Sequence, residues 1–343
     1  MLSVRALRSG KASFARGGRW QAMRTMLSQF ASREVGGLHV TLEFEHFGKP
    51  IIRHTIATDK EGFAHFEVEL DNHGLSDQPL WDVVSLCWTG DGQDQRIDGY
   101  VLAPGRKTRL AVISDIDDTI IETGITGSFR AIIRNWKRVL AEMPDERLHI
   151  PGADVFYGAL GGGAALPKGG GHGEAIPAAT KRPFFYVSSS PWNLFSYLVA
   201  FQQGQGLPLG PIMLRDWGFN RATLGSSSHG KHKRAAIDRI LQTYPETRFA
   251  LIGDDTQGDL TAYSAIVADN PGRIAAVFIR TVGEAFSAGE EAAKAVIEAS
   301  GVPLWLGSDF ATGQEFLRST GLASDDDATQ IVKAIEKTGE ADA

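Results

Sequence analysis

A chain of 343 residues, 43% of them hydrophobic and 22% charged, can bury a sizeable core, and its length accommodates two domains. The single cysteine, Cys87, excludes an internal disulfide, the formal net charge of −6 argues against general nucleic-acid affinity, and no apolar stretch reaches the length that spans a bilayer. This composition predicts a soluble globular protein of a reducing compartment, with the cytoplasm as the expected location.

Arg5, Arg8, Lys11, Arg16, Arg19 and Arg24 all precede the first acidic residue, Glu34, so residues 1–34 read as a basic arm. A solvated tail or helix is the plain expectation for such a run, and contact with an anionic membrane surface is the sharper one. The arm lacks an apolar core and a cleavage-like site, which argues against a secretory signal, while its Arg- and Ser-bearing pattern leaves organelle targeting open. From His39 to Glu45, Val40, Leu42 and Phe44 share one face and Thr41, Glu43 and Glu45 the other, as in an antiparallel strand with one wet side. Phe66, Val68 and Leu70 repeat the pattern after a turn over residues 58–63, and Leu86-Cys87-Trp88 followed by Thr-Gly-Asp-Gly predicts another strand and turn. Residues 35–108 are therefore expected to form a small antiparallel β-sandwich that serves as a docking or binding module. Cys87 reads as a small buried hydrophobe within it.

Over residues 109–343 the pattern changes to strands near 109–115, 183–188, 211–215, 248–253 and 274–280 with helical stretches between them. That alternation predicts an α/β domain on a doubly wound parallel sheet. Within 128–140, Phe129, Ile132, Ile133, Trp136 and Leu140 share one helical face, while Arg130, Arg134, Lys137 and Arg138 line the others. This segment reads as a core-facing helix, or as one whose basic flank meets phosphate head groups. The glycine clusters at 161–163 and 169–171 lack the ending and the leading strand of a phosphate loop, so residues near 158–181 read as an insertion beside the cleft. His229 and His232 find no third ligand and read as loop or structural residues, with His232 a weak substrate contact. The acidic stretch after Ser324 reads as a frayed tail.

The chemistry gathers at strand ends. Residues 109–119 run an apolar strand into Asp115-Ile116-Asp117-Asp118-Thr119, which sets two carboxylates in the crevice beyond a buried parallel strand. Carboxylates there need a positive counterpart, so the motif predicts phosphoryl chemistry and a bound hard cation. The run 183–187 ends at Ser188, the run 248–253 ends at Asp254, and Lys233 opens the helical segment between them. Counting back from Ile237 and Ile240 puts Lys233 rather than Lys231 on the inward face. Lys233 is expected in the first turn of its helix, where the positive N-terminal field adds to its own charge.

Together these segments resemble the four motifs of the haloacid dehalogenase (HAD) superfamily, and more closely its phosphatidate phosphatase family. The likeness lies in Ser-Asp-Ile-Asp-Asp-Thr at 114–119, Tyr-Val-Ser at 186–188, Ser-Pro-Trp at 190–192, His232-Lys233, Gly253-Asp254 with Gln257, Asp259 and Tyr263, and Ile279-Arg280. It covers roughly residues 110–281, and departs at Ser189, where the family usually has Asn, and at Asp255-Thr256, where it usually has Ser-Gly. The resemblance implies a HAD-like fold, Mg²⁺ as cofactor and a phosphomonoester substrate, namely phosphatidate cleaved to diacylglycerol and phosphate.

In such chemistry Asp115 attacks phosphorus and becomes an aspartyl-phosphate, and Asp117 protonates the leaving alkoxide and then deprotonates the attacking water. Ser188, with Ser189 beside it, and Lys233 hold the phosphoryl oxygens. Mg²⁺ suits the all-oxygen donors of Asp115, Asp254 and the Asp117 carbonyl. Asp259 is placed to hold a metal-bound water or the lysine, Asp255 is its neighbour, and Thr119 braces the loop. A phosphatase for a soluble phosphomonoester or a phosphoprotein would use the same residues. From a different class, a non-catalytic adaptor with a decayed core is opposed by the retention of Asp115, Asp117, Ser188, Lys233 and Asp254.

Overall fold

A computed structural model describes residues 1–8, 33–44, 52–69, 76–90, 92–116, 119, 150, 152–162, 179–215, 227–282 and 285–323, with backbone alone for Arg215 and for 227–231. Asp117, the basic arm beyond Arg8, the basic flank at 130–138, most of the glycine-rich insertion, and the acidic tail lie outside the described residues, as do the side chains of His229 and Lys231.

Two antiparallel sheets come first in the chain. Strands β1 (Leu2–Arg5) and β4 (Phe63–Phe66) pair with each other, and β2 (His39–Phe44), β3 (Ile52–Ala57), β5 (Leu80–Gly90) and β6 (Gln93–Ala103) form a sheet in the order β3-β2-β5-β6. Alternation decides what they bury. Val40, Leu42 and Phe44 point into one cluster with Ala64, Phe66 and Val84, and Leu2 and Val4 of β1 pack against it, so the two sheets share a core. Asp59 builds the turn into β4 by accepting from the Glu61 and Phe63 amides at 2.9 and 2.8 Å, with Gly62 at φ 82°. The start of the basic arm is thus the strand β1, rather than a solvated tail or helix.

The remaining strands form one parallel sheet in the order β12-β11-β10-β7-β8-β9. Their bounds are β7 (Leu110–Ser114), β8 (Phe184–Pro191), β9 (Ile212–Arg215), β10 (Arg248–Asp254), β11 (Ile274–Arg280) and β12 (Leu304–Gly307). The chain enters at the middle, proceeds outward through β8 and β9, then crosses to β10 and proceeds outward the other way. That reversal leaves a crevice between β7 and β10. Successive side chains of a strand serve opposite faces. Val112, Phe184, Tyr186, Ile252 and Phe278 meet α1 (Ala153–Leu160), α2 (Phe195–Gly204) and α6 (Phe310–Ser319) on one side. Ile113, Phe185, Leu251 and Ile279 meet α3 (Ser227–Thr243), α4 (Asp259–Asp269) and α5 (Ala288–Ala299) on the other. Five strands lie where the alternating pattern predicted them. The sixth, β12, has only four residues and Leu in place of β-branched side chains, so it carries little strand signal.

Aromatic packing closes the first face, where the Phe156 ring lies 4.9 Å from Phe310 and 5.2 Å from Phe278. On the second face Leu102, near the end of β6, joins the cluster of α3 and α4, and Trp81 packs against it. The antiparallel block is therefore seated on the α/β core.

Candidate active site

The carboxyl ends of β7 and β10 meet at the crevice, where Asp115 follows β7 and Asp254 ends β10. The Asp115 amide donates to the Ile252 carbonyl at 2.8 Å, which fixes the exit of β7 against β10 two residues before Asp254. Asp115, Asp254 and Asp259 are all buried, and each offers a carboxylate oxygen within 4.8 Å of the others. Lys233 is 1% exposed, with its Nζ 2.9 Å from Asp115 Oδ1 and 2.5 Å from Asp259 Oδ1. Thr119 Oγ1 stands 3.0 Å from Asp254 Oδ2 and 3.3 Å from Asp115 Oδ2, so one hydroxyl bridges the two acids.

Local sequence explains how each group is held. Lys233 shares the inward face of α3 with Ile237, Ile240 and Leu241, all buried, as the helical count predicted. The helix begins at Ser227, however, so Lys233 lies in its second turn and the N-terminus is not beside it. This corrects the first-turn placement. The start fell earlier because Ser227 and Ser228 and the short polar run after them offer no apolar periodicity to mark it. Asp254 is fastened by the loop after β10: Oδ1 accepts from the Thr256 amide at 2.6 Å, its hydroxyl at 2.5 Å and the Gln257 amide at 3.2 Å. Asp259 opens α4, where a carboxylate suits the helix dipole, and its Oδ2 accepts from the Asp254 amide at 3.3 Å. Gly253 makes room for it: a Cβ at that position would stand 2.8 Å from Asp259 Cβ and 2.9 Å from its Cγ.

Ser188 and Ser189 sit buried at the carboxyl end of β8, next to β7, and the Ser190 amide donates to Ser188 Oγ at 2.9 Å. Asp255 follows Asp254 but is engaged elsewhere, accepting from the Val282 amide at 2.8 Å, and it is not in the carboxylate cluster. His232 is partly buried one residue from Lys233. Three tyrosine and serine roles escaped the sequence. Tyr263 donates to the same Ile252 carbonyl at 2.9 Å, while Tyr157 donates to Ser114 Oγ at 2.7 Å and Ser114 in turn donates to the Asp115 carbonyl at 2.7 Å. The signal for Tyr263 was its spacing of one helical turn from Asp259, and Tyr157 had none.

Electrostatics follow from three buried carboxylates facing one buried ammonium. Burial alone would strip the proton from Lys233, but Asp115, then Asp259 and Asp254, outweigh it and hold the ammonium well above its ordinary range. Burial, reinforced by Asp259, pushes the Asp254 carboxyl up to about 7, against the pull of Lys233 and the Thr256 hydrogen bonds. The excess negative charge and the oxygen-only donor set fit a hard divalent cation. Asp259 has one oxygen on Lys233 and the other on the Asp254 amide, so it ties the lysine to the end of β10.

A family model described as "Phosphatidate phosphatase APP1, catalytic domain" matches residues 110–281. That span holds every residue of the cluster. Phosphatidate phosphatase APP1 of Saccharomyces cerevisiae is 31% identical over 178 residues, which is 52% of this chain and 27% of the yeast protein. An uncharacterised protein of Schizosaccharomyces pombe is 22% identical over 237 residues, 68% of this chain and 35% of its own length. The matched regions thus span about a third or less of these relatives. Among solved structures, a carbohydrate esterase family 2 enzyme with a carbohydrate-binding domain, from Corynascus thermopiles (Myceliophthora fergusii), aligns over 78% of this chain and 88% of its own at 14% identity. Its TM-score of 0.20 is too low to indicate a common fold.

Proposed function

This chain belongs to the phosphatidate phosphatase APP1 catalytic-domain family, and on that footing we propose that it is a HAD-type phosphatase that hydrolyses phosphatidate to diacylglycerol and phosphate. One observation carries the reading: a buried lysine held between Asp115 and Asp259 at the strand ends, with Asp254 across the crevice.

Uncatalysed hydrolysis of a phosphate monoester is among the slowest of biological reactions, because an anion must be attacked by a nucleophile that it repels. Asp115 supplies the nucleophile in this reading. Its carboxylate oxygen forms the bond to phosphorus as the bond to the diacylglycerol oxygen breaks, and Asp117 delivers a proton to that oxygen. Water, its proton taken by Asp117, then attacks phosphorus and releases orthophosphate and free Asp115. The Lys233 ammonium and the Ser188 hydroxyl hold phosphoryl oxygens throughout, and both are buried, so each contact is stronger than it would be in bulk water. Ser189 lines the same strand end. Mg²⁺ held by Asp115, Asp254 and the Asp117 carbonyl would neutralise phosphoryl charge. Asp259 keeps Lys233 aimed, Thr119 holds the two metal-ligating acids together, and Asp255 braces the neighbouring loop.

No helix of the described residues is long and apolar enough to cross a membrane. In the proposed setting a cytoplasmic enzyme meets its lipid at an anionic membrane surface peripherally, through the basic residues of 5–24 other than Arg5, which is tied into the fold, and those of 130–138. The boundary proposed near residue 109 separates this catalytic domain from the antiparallel block. The experiment is phosphate release by purified protein with Mg²⁺, compared between phosphatidate vesicles and a panel of soluble phosphoesters. Preference for the vesicles supports the reading; preference for a soluble ester or a phosphopeptide reassigns the substrate, and no release from any of them contradicts it.

A further inference from the structure

We propose that Arg5, at the end of β1, is a positioning residue for the phosphate-holding end of β8. The inference deepens the phosphatase reading and rests on it. After Ser188, β8 continues through Pro191 into a short 3₁₀ turn, Trp192–Leu194. Arg5 reaches that turn from the other end of the chain, donating from Nη1 to Asn193 Oδ1 at 3.1 Å. The same guanidinium donates from Nε to the Glu61 carbonyl at 3.1 Å, pairs through Nη2 with Glu34 at 3.0 Å, and lies 4.8 Å over the Phe63 ring. Phe63 meets Trp192 edge-on at 5.3 Å. One planar fork therefore locks β1, the turn before β4 and the turn after β8 to one another. Its side chain is only 14% exposed, so the bonds to Asn193 and the Glu61 carbonyl are little screened, while the pair with Glu34, 43% exposed, is weaker.

The link runs on to the site. Asn193 lies five residues beyond Ser188, and the Ser190 amide between them donates to Ser188 Oγ, so displacement of this turn moves the hydroxyl that the mechanism places against phosphate. A second tie joins the same small sheet to the helix of Lys233, through Arg239 and Glu67, but those side chains are 52% and 70% exposed. An ion pair that exposed contributes little, which leaves Arg5 as the principal brace.

If Arg5 acts only as glue between the sheets, its loss lowers stability and the amount of active enzyme while leaving substrate affinity unchanged. If it positions Ser188, affinity for the phosphoryl group falls. The test is hydrolysis of p-nitrophenyl phosphate, with inhibition by inorganic phosphate and thermal melting, on the full chain, Arg5→Met, Asn193→Ala and the double variant. KM and the phosphate inhibition constant should rise together, about fivefold in each single variant, with kcat nearly unchanged. The double variant should be no worse than Arg5→Met, because the contact that Asn193→Ala removes is already lost there. Unmoved KM and inhibition constant, a fall in melting temperature alone, or effects that multiply would overturn the proposal. If Arg5→Met does not fold, Asn193→Ala decides by itself. A wild type that releases no phosphate from any ester sinks the phosphatase reading, whereas an active wild type with unaffected variants sinks only this inference.

Discussion

Lys233 is the residue on which the site's charge balance turns, since it is the buried cation among three buried carboxylates of the described cluster. Lys233→Met keeps the apolar stem but leaves those carboxylates uncompensated, which should destabilise the protein by about 3 kcal/mol and abolish turnover. Urea unfolding and phosphate release measure the two effects, and a variant of wild-type stability would contradict the charge balance. Gly253 makes a subtler demand. Gly253→Ala drives a methyl into the Asp259 carboxylate, so it should cost about 2 kcal/mol and lower kcat about a hundredfold, since Asp259 can no longer hold Lys233 in place. Wild-type rates in that variant would show that Asp259 does not aim the lysine. Asp115, Lys233 and Asp254 were legible in the sequence because strand ends and helix faces announce themselves by apolar patterning, whereas Asp259 entered through the family resemblance. The need for Gly253 was not, because its reason is a side chain six residues away across a turn.

At the scale of elements, the junction of β7, β10 and α4 turns on one carbonyl. Ile252 accepts both the Asp115 amide and the Tyr263 hydroxyl, so the strand end that carries Asp115 and the helix of Asp259 are registered against the same atom. Tyr263→Phe should lower stability by about 1 kcal/mol, the ordinary worth of such a bond, since the carbonyl keeps its other donor. A shift in the urea midpoint at unchanged m-value reports it, and no shift would remove Tyr263 from the junction. Five parallel strands could be read from sequence because each is a continuous apolar run buried on both faces. The sixth strand and the start of α3 could not, because four residues, Leu304–Gly307, and a polar first turn carry no period. Nor could the pairing of β1 with β4, which joins Leu2 to Phe66 across the whole intervening chain and follows from long-range packing rather than local pattern.

For the whole molecule, the buried carboxylates link stability to pH. The folded Asp254 carboxyl, raised to about 7 from an ordinary value near 3.8, binds its proton more tightly than the unfolded chain does. Stability from that proton is complete below the unfolded value and is lost as pH rises through about 7. Lys233, raised above an already high value, stays charged across this window and adds no slope. Metal-free protein in EDTA should therefore melt lower at pH 8 than at pH 5.5, and Asp254→Asn should lack that part of the decline. A cation held by Asp254 would select the ionised carboxylate, so Mg²⁺ should raise the melting temperature more at pH 8 than at pH 5.5. Equal stabilisation at both pH values would separate the cation from Asp254.

The central claim is that Asp115 becomes covalently phosphorylated, and mass spectrometry of acid-quenched protein during turnover of phosphatidate tests it most directly. The tryptic fragment beginning at Leu110 should carry one phosphoryl group on Asp115 in the wild type. Asp115→Asn, folded to the same melting curve, should carry none and release no phosphate. Steady turnover with no phosphoryl group on that fragment under quench conditions that preserve acyl phosphates, or substantial activity in Asp115→Asn, would contradict the account.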